Sequence, residues 1–308
     1  MARVEYRPLD GVLLFDKPLG LSSNTALQKV RRLFRAEKAG HTGTLDPLAT
    51  GLLPICFGEA TKFSNALLDA DKTYRARVRL GQTTATGDAE GDVLVHRPVE
   101  VSEAQLEQVL PEFTGEISQL PPMHSALKHQ GKPLYEYIRK GETVEREARK
   151  VTIHELVLER FADEELEITV RCSKGTYIRT LAEDIGEALG CGAHLLALRR
   201  LAIGRFSLDD AYTWERLETM DSAQREACLL PVDCLLQALP RLELDTVQAT
   251  RILQGQRLVL GQDQPGGKIR LYSAGIFIGL GRLEGRLLAP ERLLAKMAKN
   301  AAITPDGA

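Results

Sequence analysis

The chain has few of the features that would fix a compartment or a metal from composition. It carries five cysteines in 308 residues, an odd number and scattered: Cys56, Cys172, Cys191, Cys228 and Cys234. No two stand at CxxC spacing, which argues against a disulfide framework and a zinc site and leaves them as small buried hydrophobes. The first residues, MARVEYRPLDGVLLFDKP, contain no apolar run long enough for a signal peptide, and no later stretch approaches a membrane span. A cytoplasmic protein is expected. No Walker loop, dinucleotide fingerprint or metal-ligand cluster is present, so no metal and no cofactor is expected. The net charge of -2 gives no sign of a nucleic-acid binder.

What is present is an ordinary globular balance, 44% hydrophobic and 27% charged, in a chain long enough for one large or two smaller domains. Charge is segregated. Six basic residues stand against one acid between Lys17 and His41, and ten against six from Arg241 to the end. Acids collect elsewhere, as in Asp163-Glu164-Glu165-Leu166-Glu167. A near-neutral protein can therefore carry a basic face, although each cluster alone reads equally well as solvated surface.

Periodicity gives mixed elements. Gly11 to Lys17 reads as a short buried strand, Ser22-Ser23-Asn24 as helix caps for a helix to about Phe34, and Leu52 to Cys56 as another short strand. Glu59 to Leu68 reads as a helix carrying Lys62. Lys72 to Leu80 alternates, with Tyr74, Ala76, Val78 and Leu80 on one side and arginines on the other. Thr83 to Asp92 reads as loop, and Ser102-Glu103-Ala104-Gln105 as a capping box. His124 to Thr152, with seven Lys or Arg residues plus Tyr135 and Tyr137, reads as a basic arm or as a surface excursion. Val151–Leu158 and Leu166–Cys172 pair as strands, Thr176 to Gly186 leads from an extended start into a helix, and Leu195 to Arg200 is again strand. Without regular βαβ alternation the expected class is α+β. Pro231 to Pro240 marks a boundary, giving domains 1–238 and 239–308. Short glycine-punctuated strands follow it and suggest a small β-barrel module; the last residues, 300–308, are expected to fray.

Gly40-His41-Thr42-Gly43-Thr44-Leu45-Asp46-Pro47-Leu48-Ala49-Thr50-Gly51 is the segment richest in chemistry. It is too irregular for a helix or a long strand and sets a carboxylate before a proline. By itself Asp46 is as consistent with an ordinary turn as with a nucleophile. His41 lies five residues upstream, Tyr74 is on the alternating strand, and Tyr177 and Arg179 stand two apart on an extended segment, where they can point the same way.

Together with Lys72-Thr73-Tyr74, Lys174-Gly175-Thr176-Tyr177-Ile178-Arg179-Thr180-Leu181-Ala182, Gly192-Ala193-His194-Leu195 and Leu198-Arg199-Arg200, this segment resembles the TruB family of tRNA pseudouridine synthases. Order and spacing match over about residues 10 to 235; the tail is more loosely similar to the family's PUA-like RNA-binding domain. The resemblance implies a pseudouridine-synthase-type mixed sheet flanked by helices. It also implies isomerisation of uridine 55 in the TΨC loop of tRNA, with no cofactor, no guide RNA and a monomeric enzyme. It makes Asp46 the catalytic carboxylate and Arg179 the guanidinium that keeps it ionised. Tyr74 would stack on the flipped base, Tyr177 line the pocket near Asp46, Leu198 form an apolar wall, and His41 wedge open the RNA loop. Lys17, Lys62 and the basic arm would meet phosphates. An RNA-folding chaperone without chemistry and a synthase acting on another uridine are the alternatives.

Overall fold

The computed structural model describes residues 5–295 apart from 126, 139, 140, 143, 263 and 264. The expected frayed end, 300–308, and the Tyr135 side chain of the basic arm lie outside the described residues.

A nine-stranded sheet organises the first part of the chain. Its main path runs from β1 (Gly11–Lys17) to β3 (Ala49–Phe57), then to strand Ala193–Ile203, to β4 (Lys72–Leu80), and on through Glu165–Cys172 and Arg149–Ala162 to Gly115–Gln119. β2 (Ala39–His41) adds to β3. Neighbours along the path are antiparallel except β3 with Ala193–Ile203, which run parallel. At that junction Gly51 is obligatory: it has φ +101°, and a Cβ there would sit 2.4 Å from the Arg200 carbonyl oxygen.

Local rules predicted several elements well. Helix α1 (Ser23–Leu33) is capped by the Ser22 side chain and ends at Phe34. The Ser102 capping box starts Glu103–Val109. On β4, Ala76, Val78 and Leu80 are buried and Arg75 and Arg77 exposed. The irregular motif segment is loop over residues 42–48, as expected, while Gly40 and His41 belong to β2 and Ala49 to Gly51 open β3. Two expectations fail. The helix expected over Glu59–Leu68 is two 3-10 turns, Gly58–Lys62 and Ser64–Leu67. Tyr177 and Arg179 are not both on extended backbone. Tyr177 is extended at the N-cap of helix Ile178–Ala188, and Arg179 is inside that helix. Successive helical residues turn by about 100°, so strand-like alternation does not apply.

The C-terminal module is a five-stranded sheet in the order Arg241–Leu244, Gly267–Ser273, Ile276–Glu284, Leu287–Leu293, Leu258–Val259, with helix Thr246–Leu253. The small β module is therefore present, and its first strand and helix are additions to the expected pattern. It is not strung on a loose linker. Cys234, Leu235 and Leu236 share one apolar core with Val12, Leu14 and Leu52 of the large sheet and Tyr272, Phe277 and Leu280 of the small one. Among the described residues no helix is long and apolar enough to cross a membrane.

Candidate active site

Only residues 42–48 of the motif segment form a loop, between β2 and β3. Asp46 lies in it, and its peptide oxygen accepts from the Ala49 N–H at 3.1 Å, closing a turn around Pro47. The loop rests on the start of α1 and faces the N-terminal turn of the Ile178–Ala188 helix, whose Arg179 is 6% exposed. The Arg179 Nη2 lies 3.0 Å from Asp46 Oδ2, and Nη1 lies 3.5 Å from Oδ2 of Asp88. The guanidinium is anchored by two carbonyls as well, Thr86 at 3.1 Å and His124 at 2.7 Å. One fixed cation therefore serves two carboxylates, of which Asp88 is buried while the Asp46 side chain keeps 44% of its surface open.

This arrangement sets the protonation balance. Burial pushes the Asp46 carboxyl above its usual range, the Arg179 charge pulls it back, Asp88 pushes it up again, and Lys17 opposes that. Glu183, on the Arg179 helix, is pushed up to about 6 by burial, with Asp184 and Asp88 adding and Arg179 and Arg146 opposing. Arg179 thus favours the ionised Asp46 amid several acids.

Tyr74 and Leu198 are partly buried and pack against both apolar clusters that meet beneath the site. Their strands are register neighbours, Leu198 opposite Ala76 and Arg200 opposite Tyr74. The side chain of Arg200, the register partner of Tyr74, is buried. It donates to the Leu52 carbonyl at 2.7 Å and to the Gly43 carbonyl at 3.2 Å. Arg200 therefore joins the sheet at the Tyr74 register to the 42–48 loop. Burial raises the Tyr74 phenol and the Arg200 charge lowers it. His41, half-buried at the end of β2, is held below the usual histidine range by burial and by the same arginine, which favours the neutral imidazole at neutral pH. The Tyr177 backbone is clamped by buried Gln119, whose amide accepts from its N–H at 3.0 Å and donates to its carbonyl at 3.3 Å.

The two single lysines proposed for phosphates behave otherwise. Lys17 is 0% exposed, and its Nζ donates to the carbonyls of Pro18 at 3.0 Å and Leu21 at 2.6 Å. Burial lowers it to about 8, against the pull of Asp46 and Glu90. It cannot reach a phosphate, because the turn it caps encloses its ammonium; it is a floor residue of the site. Lys62 is engaged by Glu59 at 2.8 Å and by the Leu293 carbonyl at 3.0 Å, which links the large sheet to the C-terminal module. In the basic arm, Arg146 donates to the Pro121 carbonyl and Lys150 pairs with Glu116.

Sequence reasoning gave no role to Asp88, Arg200 or Gln119. Strand alternation could have found Arg200, since it falls on the same side as Leu198 and so points inward. Nothing local marks Asp88 in a loop rich in Gly, Thr and Asp. Among the described residues no group of three or more His, Cys, Asp or Glu is placed to hold a metal.

Comparison with known proteins agrees with this geometry. Residues 31–178 match the model of the TruB family pseudouridylate synthase N-terminal domain. Residues 179–237 match that of the tRNA pseudouridylate synthase B C-terminal domain, and 240–294 that of the pseudouridine synthase II TruB C-terminal region. The tRNA pseudouridine synthase B of Burkholderia lata is 58% identical over 301 residues, covering 96% of this chain and 94% of that one. That of Azoarcus sp. is 57% identical over 293 residues, covering 95% and 97%. Among solved structures, a chain of a Cbf5–Nop10–Gar1 complex superposes with a TM-score of 0.69 at 25% identity, over 94% of this chain and 85% of that one.

Proposed function

Because the chain belongs to the TruB family of pseudouridylate synthases, we propose that it isomerises uridine 55 in the TΨC loop of tRNA to pseudouridine. The observation that carries this is the Asp46–Arg179 pair: an exposed-edged carboxylate, held at 3.0 Å by a buried and anchored guanidinium, near the packed ring of Tyr74. In the reaction the N1–C1′ bond breaks, the uracil turns over, C5 bonds to C1′, and the proton lost from C5 is balanced by one gained at N1. No oxidant, reductant or group donor enters that balance.

Asp46 acts as the ionised carboxylate, by attack or by stabilising positive character at C1′. A uridine inside a folded loop must be flipped out at a cost of a few kcal/mol. Stacking on Tyr74, worth roughly 1–3 kcal/mol per base, offsets that cost, and Leu198 and Tyr177 complete the pocket wall. His41, neutral and at the rim, is the residue that wedges into the vacated position. The basic arm, from about 124 to 152, and the C-terminal module, residues 239–308, supply the backbone contacts that position the RNA without specifying its bases. In this reading the enzyme works as a monomer in the cytoplasm, on tRNA, without a guide RNA.

The test is incubation of the purified protein with unmodified tRNA transcript, without guide RNA or added metal, followed by mapping of pseudouridine. Conversion is expected at position 55 alone. Asp46→Asn is expected to retain tRNA affinity within about threefold and to form no pseudouridine. Modification at another position would overturn the substrate assignment. Accelerated tRNA refolding with no modification would replace the enzyme reading by a chaperone.

A further inference from the structure

We propose that Ser23 is a positioning residue for Asp46, acting through Leu45. The proposal rests on Asp46 as the catalytic carboxylate. Of the tandem serines at the start of α1, Ser22 is the helix cap, its Oγ accepting from the Thr25 N–H. Ser23 is not needed for capping. It is 2% exposed and turned toward the catalytic loop. Its Oγ accepts from the Leu45 N–H at 2.7 Å and donates to the Leu45 carbonyl at 2.9 Å. One hydroxyl therefore satisfies both backbone groups of the residue that precedes Asp46, 22 positions away in sequence.

The arrangement is stringent from both sides. A buried hydroxyl beside Ala26 and Leu27 is costly unless paired, and so are the polar backbone groups of a buried loop residue. Leu45 itself is 3% exposed and packs in the core under α1, so its side chain cannot slide. The residue after Asp46 is fixed as well: the Gly20 N–H donates to the Pro47 carbonyl at 2.9 Å. Gly20 and Ser23 belong to the same turn-and-helix start whose carbonyls Lys17 caps. Asp46 is thus bracketed on both flanks by residues 17–23. Arg179 is anchored independently by Thr86 and His124. The length of the Asp46–Arg179 pair is then set by how firmly the bracket holds.

Two variants separate hydrogen bonding from packing. Ser23→Ala leaves both Leu45 groups without a partner; Ser23→Cys keeps the volume and loses most of the hydrogen-bond strength. Each is assayed on full unmodified tRNA by single-turnover release of tritium from C5-labelled uridine, below the melting midpoint of either variant. Both are expected to lose about 10- to 100-fold in rate, as small displacements at a reacting centre do, with tRNA affinity within threefold. The acid limb of the rate–pH profile is expected to move to higher pH, because a carboxylate drawn away from Arg179 is harder to ionise. A parental rate and acid limb in Ser23→Cys overturn the proposal, as does a rate loss accompanied by an unshifted acid limb. Asp46→Asn in the same assay keeps the two ideas apart. If it turns over, the carboxylate assignment falls; if it is inactive while the Ser23 variants run at the parental rate, only the Ser23 proposal falls.

Discussion

On one face of β4, Arg75, Arg77 and Arg79 meet Glu167, Glu165 and Glu164 at 3.6, 2.7 and 2.8 Å in open water. On the other face Tyr74 stands opposite a buried arginine, and across the site another arginine holds Asp46 at 3.0 Å. The partners are chemically alike and the distances overlap; the surroundings differ. The Arg77 side chain is 53% exposed, whereas that of Arg179 is 7% exposed. Exposed pairs contribute about 0–1 kcal/mol and are screened by salt. A buried cation with two carboxylates, by contrast, decides which of its neighbours carries a proton. In the proposed reading the chemistry lies where charge is costly to place, and the exposed ladder adds little to stability.

The largest break in that contrast comes from removing the buried guanidinium. Arg179→Gln leaves Asp46 facing Asp88 with no counter-ion between them. Asp46 is already raised by burial and by Asp88, and Arg179 is the main group that opposes this. Its loss raises the carboxyl further, so the ionised form is reached only at higher pH. The acid limb of the single-turnover rate is expected to move up, with partial recovery of rate as pH rises. At neutral pH the loss should be about 10²–10³-fold. An unmoved acid limb would show that Arg179 does not govern the protonation of Asp46. Arg179→Lys keeps the charge but not the forked geometry and should lie between parent and Gln.

A second, smaller break acts through Arg200. Arg200→Met keeps the bulk of the side chain and strands the carbonyls of Leu52 and Gly43. Each lost partner costs about 1–3 kcal/mol, partly offset because a buried charge also disappears. A destabilisation of about 3 kcal/mol in urea unfolding is expected. The rate of the folded fraction should drop as well, because the 42–48 loop loses its tie to the sheet at Gly43. Equal stability to the parent would mean that water replaces the guanidinium.

These two arginines also show where sequence reasoning reached and where it stopped. The β4 strand, the α1 helix and the Ser102 capping box were legible because their causes are local: alternation, spacing, a cap three residues away. Asp46, Tyr74 and Arg179 were legible only through motif resemblance; periodicity left Asp46 a turn. Arg200 reaches Gly43 across 157 positions, and no local pattern encodes that. Lys17 was misread for the opposite reason. A lysine at the end of a short strand usually lies at the surface, but here two carbonyls of a tight turn enclose it. The pair of hydrogen bonds between Ser23 and Leu45 was hidden because its neighbour Ser22 already explained the serine pair as a cap.

The smallest expected effect lies on the outer face and tests the other half of the comparison. Arg77→Gln removes the 2.7 Å pair with Glu165 from the middle of β4, three residues from Tyr74. Proximity along the chain would predict an effect on the site. The dielectric argument predicts almost none, because Arg77 points to the opposite face and water replaces its partner. The change in unfolding free energy should be below about 1 kcal/mol, and raising the salt concentration should shrink the difference between variant and parent further. The single-turnover rate on tRNA should stay within about twofold. A larger loss in rate at unchanged stability would mean that the ladder face also touches RNA, and the division of β4 into a chemical face and an inert one would fall.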